Sequence, residues 1–193
     1  MNEMKYEELR PALKTGDIVL FSGKGFISRM IKLFTRSKWS HVGMVVVARD
    51  IDSVLLFQST TLSKSRDITG KERKGVQLNY LSDVVTKYNG DIAIRCLNMT
   101  PEDLQKVEAI TSTVRKEFYG RDYEDKYGEL LMSAVDIIGE NKTNLDTLFC
   151  SELCAEVFVR AGKLAAPSNE YTPADFGNML HLWLRDKVLI RRK

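Results

Sequence analysis

The sequence contains no apolar run of about 18 residues, the length that a membrane-spanning helix needs. Nucleophile-elbow, Walker and dinucleotide-binding motifs are also absent. Only three cysteines and two histidines occur, and their spacing fits neither a zinc site nor a disulfide framework. These absences remove most enzyme classes that have a strong sequence signature. They predict a protein without a cofactor, a metal or an integral membrane segment.

The net charge and the length of the chain narrow the class of protein further. The net charge of +3 is small and the basic residues are spread along the chain, so nucleic acid is not an expected partner. A length of 193 residues predicts one domain over residues 1–193. The polar, acidic start at residues 1–7 lacks the apolar core of a secretory signal, so we expect a cytoplasmic protein.

Helical and strand patterns alternate in mixed order, which predicts an α+β fold. Apolar residues recur at helical spacing over Phe26–Phe34, with basic residues between them. Residues 40–48 form a valine-rich strand pattern, and residues 54–58 form a second one, so the two predict a β-hairpin. Thr100, followed by a proline and then by Asp103, is a typical helix start.

Cys150 is the first candidate for chemistry, because it follows a polar connection and is expected in the first turn of a helix. The unpaired amides of a helix N-terminus lower the pKa of a thiol and can also bind an oxyanion. Cys96 and Cys154 lie in apolar patterns and are expected to be buried. The alternative is that Cys150, like these two cysteines, is only a small buried apolar side chain.

His41 stands at the start of the valine-rich strand and is the more favourable of the two histidines as a base. His181, among large apolar residues near the C-terminus, is expected to be structural. If the hairpin pairs the two strands, Gln58 can accept a hydrogen bond from the imidazole and orient the ring. The alternatives are a structural hydrogen bond for His41 and an ordinary polar strand end for Gln58.

The sequence around these residues resembles that of the circularly permuted NlpC-type papain-like peptidases, the group that contains YiiX-like and YaeF-like proteins. Five segments carry the resemblance in the same order: residues 13–20 with a Gly-Asp turn, 26–43 with Ser-His-Val-Gly, 119–123 with a G-x-x-Tyr pattern, 149–153 with Cys-Ser-Glu-Leu, and 171–176 with Thr-Pro-Ala-Asp.

The resemblance implies a papain-like core, in which a helix carrying the cysteine packs on a small antiparallel sheet or partial barrel carrying the histidine. It implies Cys150 as nucleophile and His41 as general base. The third residue of the family, often Glu or His, falls on Gln58, which has no charge. Tyr123 is expected near the cleft, where it would contact substrate or the oxyanion, unless it is simply a packed aromatic.

The reaction that follows is acyl transfer through a thioester, most simply by an amidase or peptidase on γ-glutamyl or cell-wall-derived peptides. One alternative is a lipid-ester hydrolase or acyltransferase at a membrane surface, based on the helix Phe26–Phe34 and on an exposed Lys38 and Trp39. That helix is, however, expected to face the core, with only its charged side in solvent. Another alternative is a non-catalytic binding module. Residues 60–75, which are polar and basic, are expected to form a mobile loop that borders the cleft.

Overall fold

The computed structural model describes residues 2–60, 65–121, 145–178 and 183–191. The α-helices in these ranges are α1 Tyr6–Leu9, α2 Phe26–Phe34, α3 Leu81–Lys87, α4 Pro101–Phe118, α5 Leu145–Arg160 and α6 Pro173–Asn178. The strands are β1 Asn2–Lys5, β2 Ile18–Gly23, β3 His41–Ala48, β4 Ser53–Thr60, β5 Gly75–Tyr80, β6 Gly90–Arg95 and β7 Val188–Arg191.

The strands form one sheet in the order β1-β7-β6-β2-β3-β4-β5. All neighbouring pairs are antiparallel except β1 and β7, which run parallel. The predicted hairpin is confirmed, because β3 and β4 pair with Met44 opposite Phe57. The mixed α+β class is confirmed as well, whereas the permuted papain-like arrangement stays a prediction. Strand β1 and helix α1 have no counterpart among the elements predicted from the sequence.

Local sequence signals account for two of the helices. The Thr100 hydroxyl accepts a hydrogen bond from the backbone amide of Asp103 at 3.2 Å, and proline occupies the first turn of α4. Helix α2 has the predicted bounds. Its N-cap is Gly25, which supplies no side-chain cap, so its stability depends on packing more than on capping.

Apolar side chains on the two faces of the sheet belong to two separate core clusters. Alternate residues of a strand point to opposite faces, so the central strands contribute to both clusters. The first cluster joins the sheet to α5, and β3 contributes Val42, Met44 and Val46 to it. The second cluster joins the opposite face to α1 and α3, and β3 contributes Val45 to it. Each candidate site residue therefore has to be assigned to one face of the sheet as well as to a strand.

Candidate functional site

His41 is the first residue of β3 and its side chain is half-buried. Its Nε2 atom lies 2.7 Å from Oε1 of Gln58 on β4, so the predicted hydrogen bond is present. Gly43 lets the side chains of β4 pack closely on β3 beside this contact, because a Cβ at that position would lie 2.7 Å from Leu56 Cδ1 and 3.3 Å from Gln58 Cβ. The part that Gln58 plays in any reaction remains a prediction.

Gln58 begins a chain of buried amide side chains that runs across β4 and β5. Its Nε2 donates to Asn79 Oδ1 at 2.7 Å. Asn79 Nδ2 then donates at 3.0 Å to Gln77 Oε1 and also, at 3.0 Å each, to the carbonyls of Ser65 and Arg66. Gln58, Asn79 and Gln77 are together almost fully excluded from solvent, so their unmade hydrogen bonds would be costly.

Backbone carbonyls fix the direction of every hydrogen bond in this chain, which we call the amide chain (Gln58, Asn79 and Gln77). A carbonyl oxygen can only accept, so the contacts of Asn79 with Ser65 and Arg66 identify Nδ2 as the donor. Gln77 Nε2 is oriented in the same way by the carbonyls of residues 60, 73 and 75.

The imidazole tautomer follows from that orientation. Because Asn79 Oδ1 is an acceptor, Gln58 must donate through Nε2 and present its oxygen to His41. A neutral His41 must then carry its proton on Nε2 to donate to that oxygen. The lone pair remains on Nδ1, so the amide chain prepares the imidazole to act as a base at that atom.

Cys150 lies in α5, which begins at Leu145. The thiol is therefore in the second turn of the helix, whereas the sequence predicts the first turn. The electrostatic effect of a helix N-terminus is largely confined to the first turn, which weakens the predicted activation of the thiol. Cys150 is fully buried and belongs to the first core cluster.

Helix α5 packs directly against β3 and β4, the strands that carry His41 and Gln58. Val42, which follows His41, shares the first core cluster with Cys150. The His41 ring instead packs beside Phe21 of the second cluster, with ring centroids 5.3 Å apart. The structure thus brings His41 and Gln58 together, and packs the helix that carries Cys150 against the two strands that carry them.

The other two thiols are poor nucleophiles. Burial, reinforced by the nearby Asp17 carboxylate, raises the pKa of Cys96 to about 12. Burial raises the pKa of Cys154 well above its ordinary value, and the neighbouring Cys150 adds to the shift. Cys154 is buried as predicted, whereas Cys96 is only half-buried.

Four other predictions concern the surroundings of the site. Tyr123 and His181 lie outside the described residues. The prediction that Trp39 is exposed is wrong, because the ring is buried against Gly177, where a Cβ would collide with it. Ser65 and Asp67, at the start of the described part of the predicted loop, are also buried. The loop does border the amide chain, through the carbonyls that Asn79 contacts.

Asn79 and Gln77 are not among the residues predicted from the sequence. Polar residues alternate there with Val76 and Leu78 in an otherwise apolar strand pattern. Such alternation normally indicates a solvated face. Here the polar face is buried, and β5 pairs with β4 so that Gln77 stands opposite Gln58.

Comparison with known proteins gives a limited result. No family model matches the chain, and no curated protein matches it. Among solved structures, the chain is similar to the metalloprotein YiiX from Escherichia coli O157:H7, with 20% sequence identity. The alignment covers 79% of this chain and 68% of that one, with a TM-score of 0.49. In the described part of this chain, no three His, Cys, Asp or Glu side chains are arranged to hold a metal ion.

None of the helices in the described ranges is both long and apolar enough to cross a bilayer.

Proposed function

We propose that the protein is a cysteine hydrolase of the YiiX-like type, which transfers an acyl group through a thioester on Cys150. His41 is the general base and Gln58 its positioning residue. The proposed substrates are small peptide amides, such as γ-glutamyl or cell-wall-derived peptides. The observation that carries the proposal is the 2.7 Å contact between His41 Nε2 and Gln58 Oε1, which fixes the imidazole with its lone pair on Nδ1.

In this mechanism, Nδ1 of His41 takes the proton from the Cys150 thiol. The thiolate attacks the substrate carbonyl carbon, and the resulting tetrahedral oxyanion collapses as His41 returns the proton to the leaving amine. Water then attacks the thioester, with His41 accepting one of its protons, and the acid product leaves as the proton returns to sulfur. Gln58 keeps the ring oriented but provides no charge to stabilise the imidazolium.

The proposal requires the Cys150 sulfur and the His41 ring to meet around the first residue of β3. Two observations make this possible: α5 packs on β3 and β4, and His41 is at the end of its strand rather than in its middle. The full burial of Cys150 adds a further requirement, because a substrate can reach the sulfur only if the site opens.

Covalent labelling tests the proposal directly. We would treat the protein with an electrophilic thiol probe and locate the adduct by mass spectrometry. The expected result is selective labelling of Cys150, lost in His41→Ala and retained in Cys154→Ser, one turn further along the same helix. Equal reactivity of all three thiols, or reactivity of none, would contradict an enzyme and favour the non-catalytic binding module.

A second candidate function, lipid-ester hydrolysis at a membrane surface, is favoured by one observation. Phe26, Leu33 and Phe34 of α2 are all exposed. Assays of γ-glutamyl dipeptides and of phospholipid vesicles separate the two substrate classes. Turnover of vesicles alone, abolished by Cys150→Ser, would replace the peptide substrate with the lipid ester.

A further inference from the structure

Helix α2 presents large apolar side chains to solvent. Phe26 is 69% exposed, Leu33 is 70% exposed and Phe34 is 66% exposed. These three are half of the six exposed large hydrophobic residues in the described part of the chain. Isolated exposed apolar residues are common, but three on one nine-residue helix form a patch of the kind that binds a partner.

The three side chains share one side of the helix. At about 100° per residue, Phe26, Leu33 and Phe34 fall within an arc of about 100°. Ile31, which is buried, lies about 60° beyond the edge of that arc. The body of the protein therefore covers Ile31 but leaves Phe26, Leu33 and Phe34 exposed, in contrast to the predicted core-facing helix.

Positive charge surrounds this patch. Residues 24–39 contain five lysines and arginines and no acidic residue. Lys38 forms a 2.8 Å ion pair with Asp91, and Lys32 donates to the carbonyl of Gly23 at 2.6 Å. The other three basic residues are all exposed: Lys24, Arg29 and Arg36.

We propose that α2 binds the surface of an anionic lipid bilayer, with its phenylalanines in the acyl region and its cations among the headgroups. An exposed apolar arc flanked by basic residues is the pattern of a helix that lies in a membrane interface. The charge also argues against a second copy of this chain as the occupant. In a two-fold contact the same basic patch would face itself, which like charges disfavour.

The membrane surface would lie close to the proposed site, because Lys32 of α2 contacts Gly23 at the end of β2, two residues from Phe21, which pairs with His41. The binding itself does not depend on the chemistry of Cys150. A Cys150→Ser variant is therefore expected to bind vesicles as the wild type does, which separates this inference from the proposed hydrolase.

Vesicle co-sedimentation tests the inference, with neutral phosphatidylcholine vesicles compared against vesicles that contain phosphatidylserine. We expect binding to the anionic vesicles that weakens as salt is added. The double variant Phe26→Ser/Phe34→Ser should lower the affinity by about tenfold or more. Arg29→Glu/Arg36→Glu should remove the preference for anionic vesicles.

Two matched controls use exposed residues elsewhere on the surface. Ile51→Ser/Ile68→Ser removes apolar area outside α2, and Lys71→Glu/Lys74→Glu reverses charge outside it. Both should bind like the wild type. Absence of binding to anionic vesicles would overturn the inference, as would equal binding to both vesicle types.

Two further measurements identify other occupants of the patch. A wild-type dimer in sedimentation equilibrium that becomes a monomer in Phe26→Ser/Phe34→Ser would assign the patch to a second copy. A marked fall in thermal stability in the same variant would mean that the chain itself covers these side chains. Either result would overturn the proposed membrane contact.

Discussion

The two faces of the β3–β4 hairpin differ sharply in what they bury. On the face toward α5, Val42, Met44 and Phe57 pack into a continuous apolar cluster that also contains Cys150. On the opposite face, the end of the hairpin holds the half-buried ring of His41 and the buried amide of Gln58. One pair of strands thus supplies both an apolar core and a polar chain, because successive residues point in opposite directions.

Substitutions on the two faces are therefore expected to act in different ways. Removal of an apolar side chain leaves a cavity but no unpaired polar group. Removal of a member of the amide chain leaves buried donors and acceptors without partners, and it also releases the constraint on the His41 ring. A change on either face should lower the stability, but only a change in the amide chain should alter the tautomer of the His41 imidazole.

The largest expected effect is that of Cys150→Ser. If the apolar cluster contains the nucleophile, activity should fall by about 10⁴-fold or more, because the later steps of acyl transfer depend on the same sulfur. The measurement is turnover of the γ-glutamyl dipeptide or vesicle substrate, whichever the wild type accepts. Cys154→Ser, in the same cluster and the same helix, is the control and should retain most of the activity. Equal losses in the two variants would assign Cys150 to the core alone.

The second prediction concerns Phe57→Ala, on the α5 face. Phe57 is fully buried, so its truncation should lower the free energy of unfolding by about 3–5 kcal/mol. Urea denaturation measures this loss, and Phe57→Leu serves as a milder variant if the alanine form does not fold. The His41 tautomer should remain as in the wild type, because the amide chain lies on the other face. A changed tautomer would show that the two faces are coupled.

Much of the hairpin could be predicted from the sequence, because strand period and turn signals are local. The contact between His41 and Gln58 followed from the pairing of two adjacent strands. The burial of Trp39 could not be predicted, since it depends on Gly177, which is distant in sequence. For α2, the periodicity identified an apolar side but not what lies opposite it.

The start of α5 was misjudged for a local reason. Residues 136–147, the polar connection ahead of Cys150, are mostly polar in sequence, which predicts a helix start at Cys150. Leu145, Leu148 and Phe149 nevertheless have helical spacing, and the helix includes them. Asn79 and Gln77 were missed because no local pattern distinguishes a buried polar face from a solvated one.

The third prediction tests the polar face through Asn79→Leu. The change leaves Gln58 Nε2 without its acceptor and two backbone carbonyls without their donor. We expect a loss of about 2–4 kcal/mol in the free energy of unfolding, at about 1–3 kcal/mol per orphaned group with partial relaxation. The ¹⁵N NMR shifts of His41 should change from a single Nε2–H tautomer to a mixture.

Asn79→Asp is the matched control for that variant. Its carboxylate still accepts from Gln58, so the direction of the hydrogen bond to His41 and the tautomer should be kept. It cannot donate to the carbonyls of Ser65 and Arg66, so stability should still fall. With only two histidines in the chain, His181→Gln simplifies the spectrum to His41. An unchanged tautomer in Asn79→Leu would mean that the amide chain does not orient the ring.

The smallest expected effect concerns Asp17, a buried carboxylate, in contrast to the neutral amide chain. Burial raises the pKa of Asp17 from 3.8 to about 6, even though its oxygens accept from the backbone amides of Leu97 and Lys14. The folded state then holds the proton more tightly than the unfolded state. Stability should fall as pH rises from about 4 to about 6, and should level off above that range.

Urea denaturation of the wild type and of Asp17→Asn, at about pH 5 and about pH 7.5, measures this difference. The wild type should lose about 1–1.5 kcal/mol more than the variant between the two values, since one pKa unit corresponds to about 1.4 kcal/mol. Groups that titrate in both proteins cancel in the comparison. The same pH dependence in both proteins would place the titration elsewhere. If the variant lacks it, the buried carboxylate, unlike the amide chain, makes stability depend on pH.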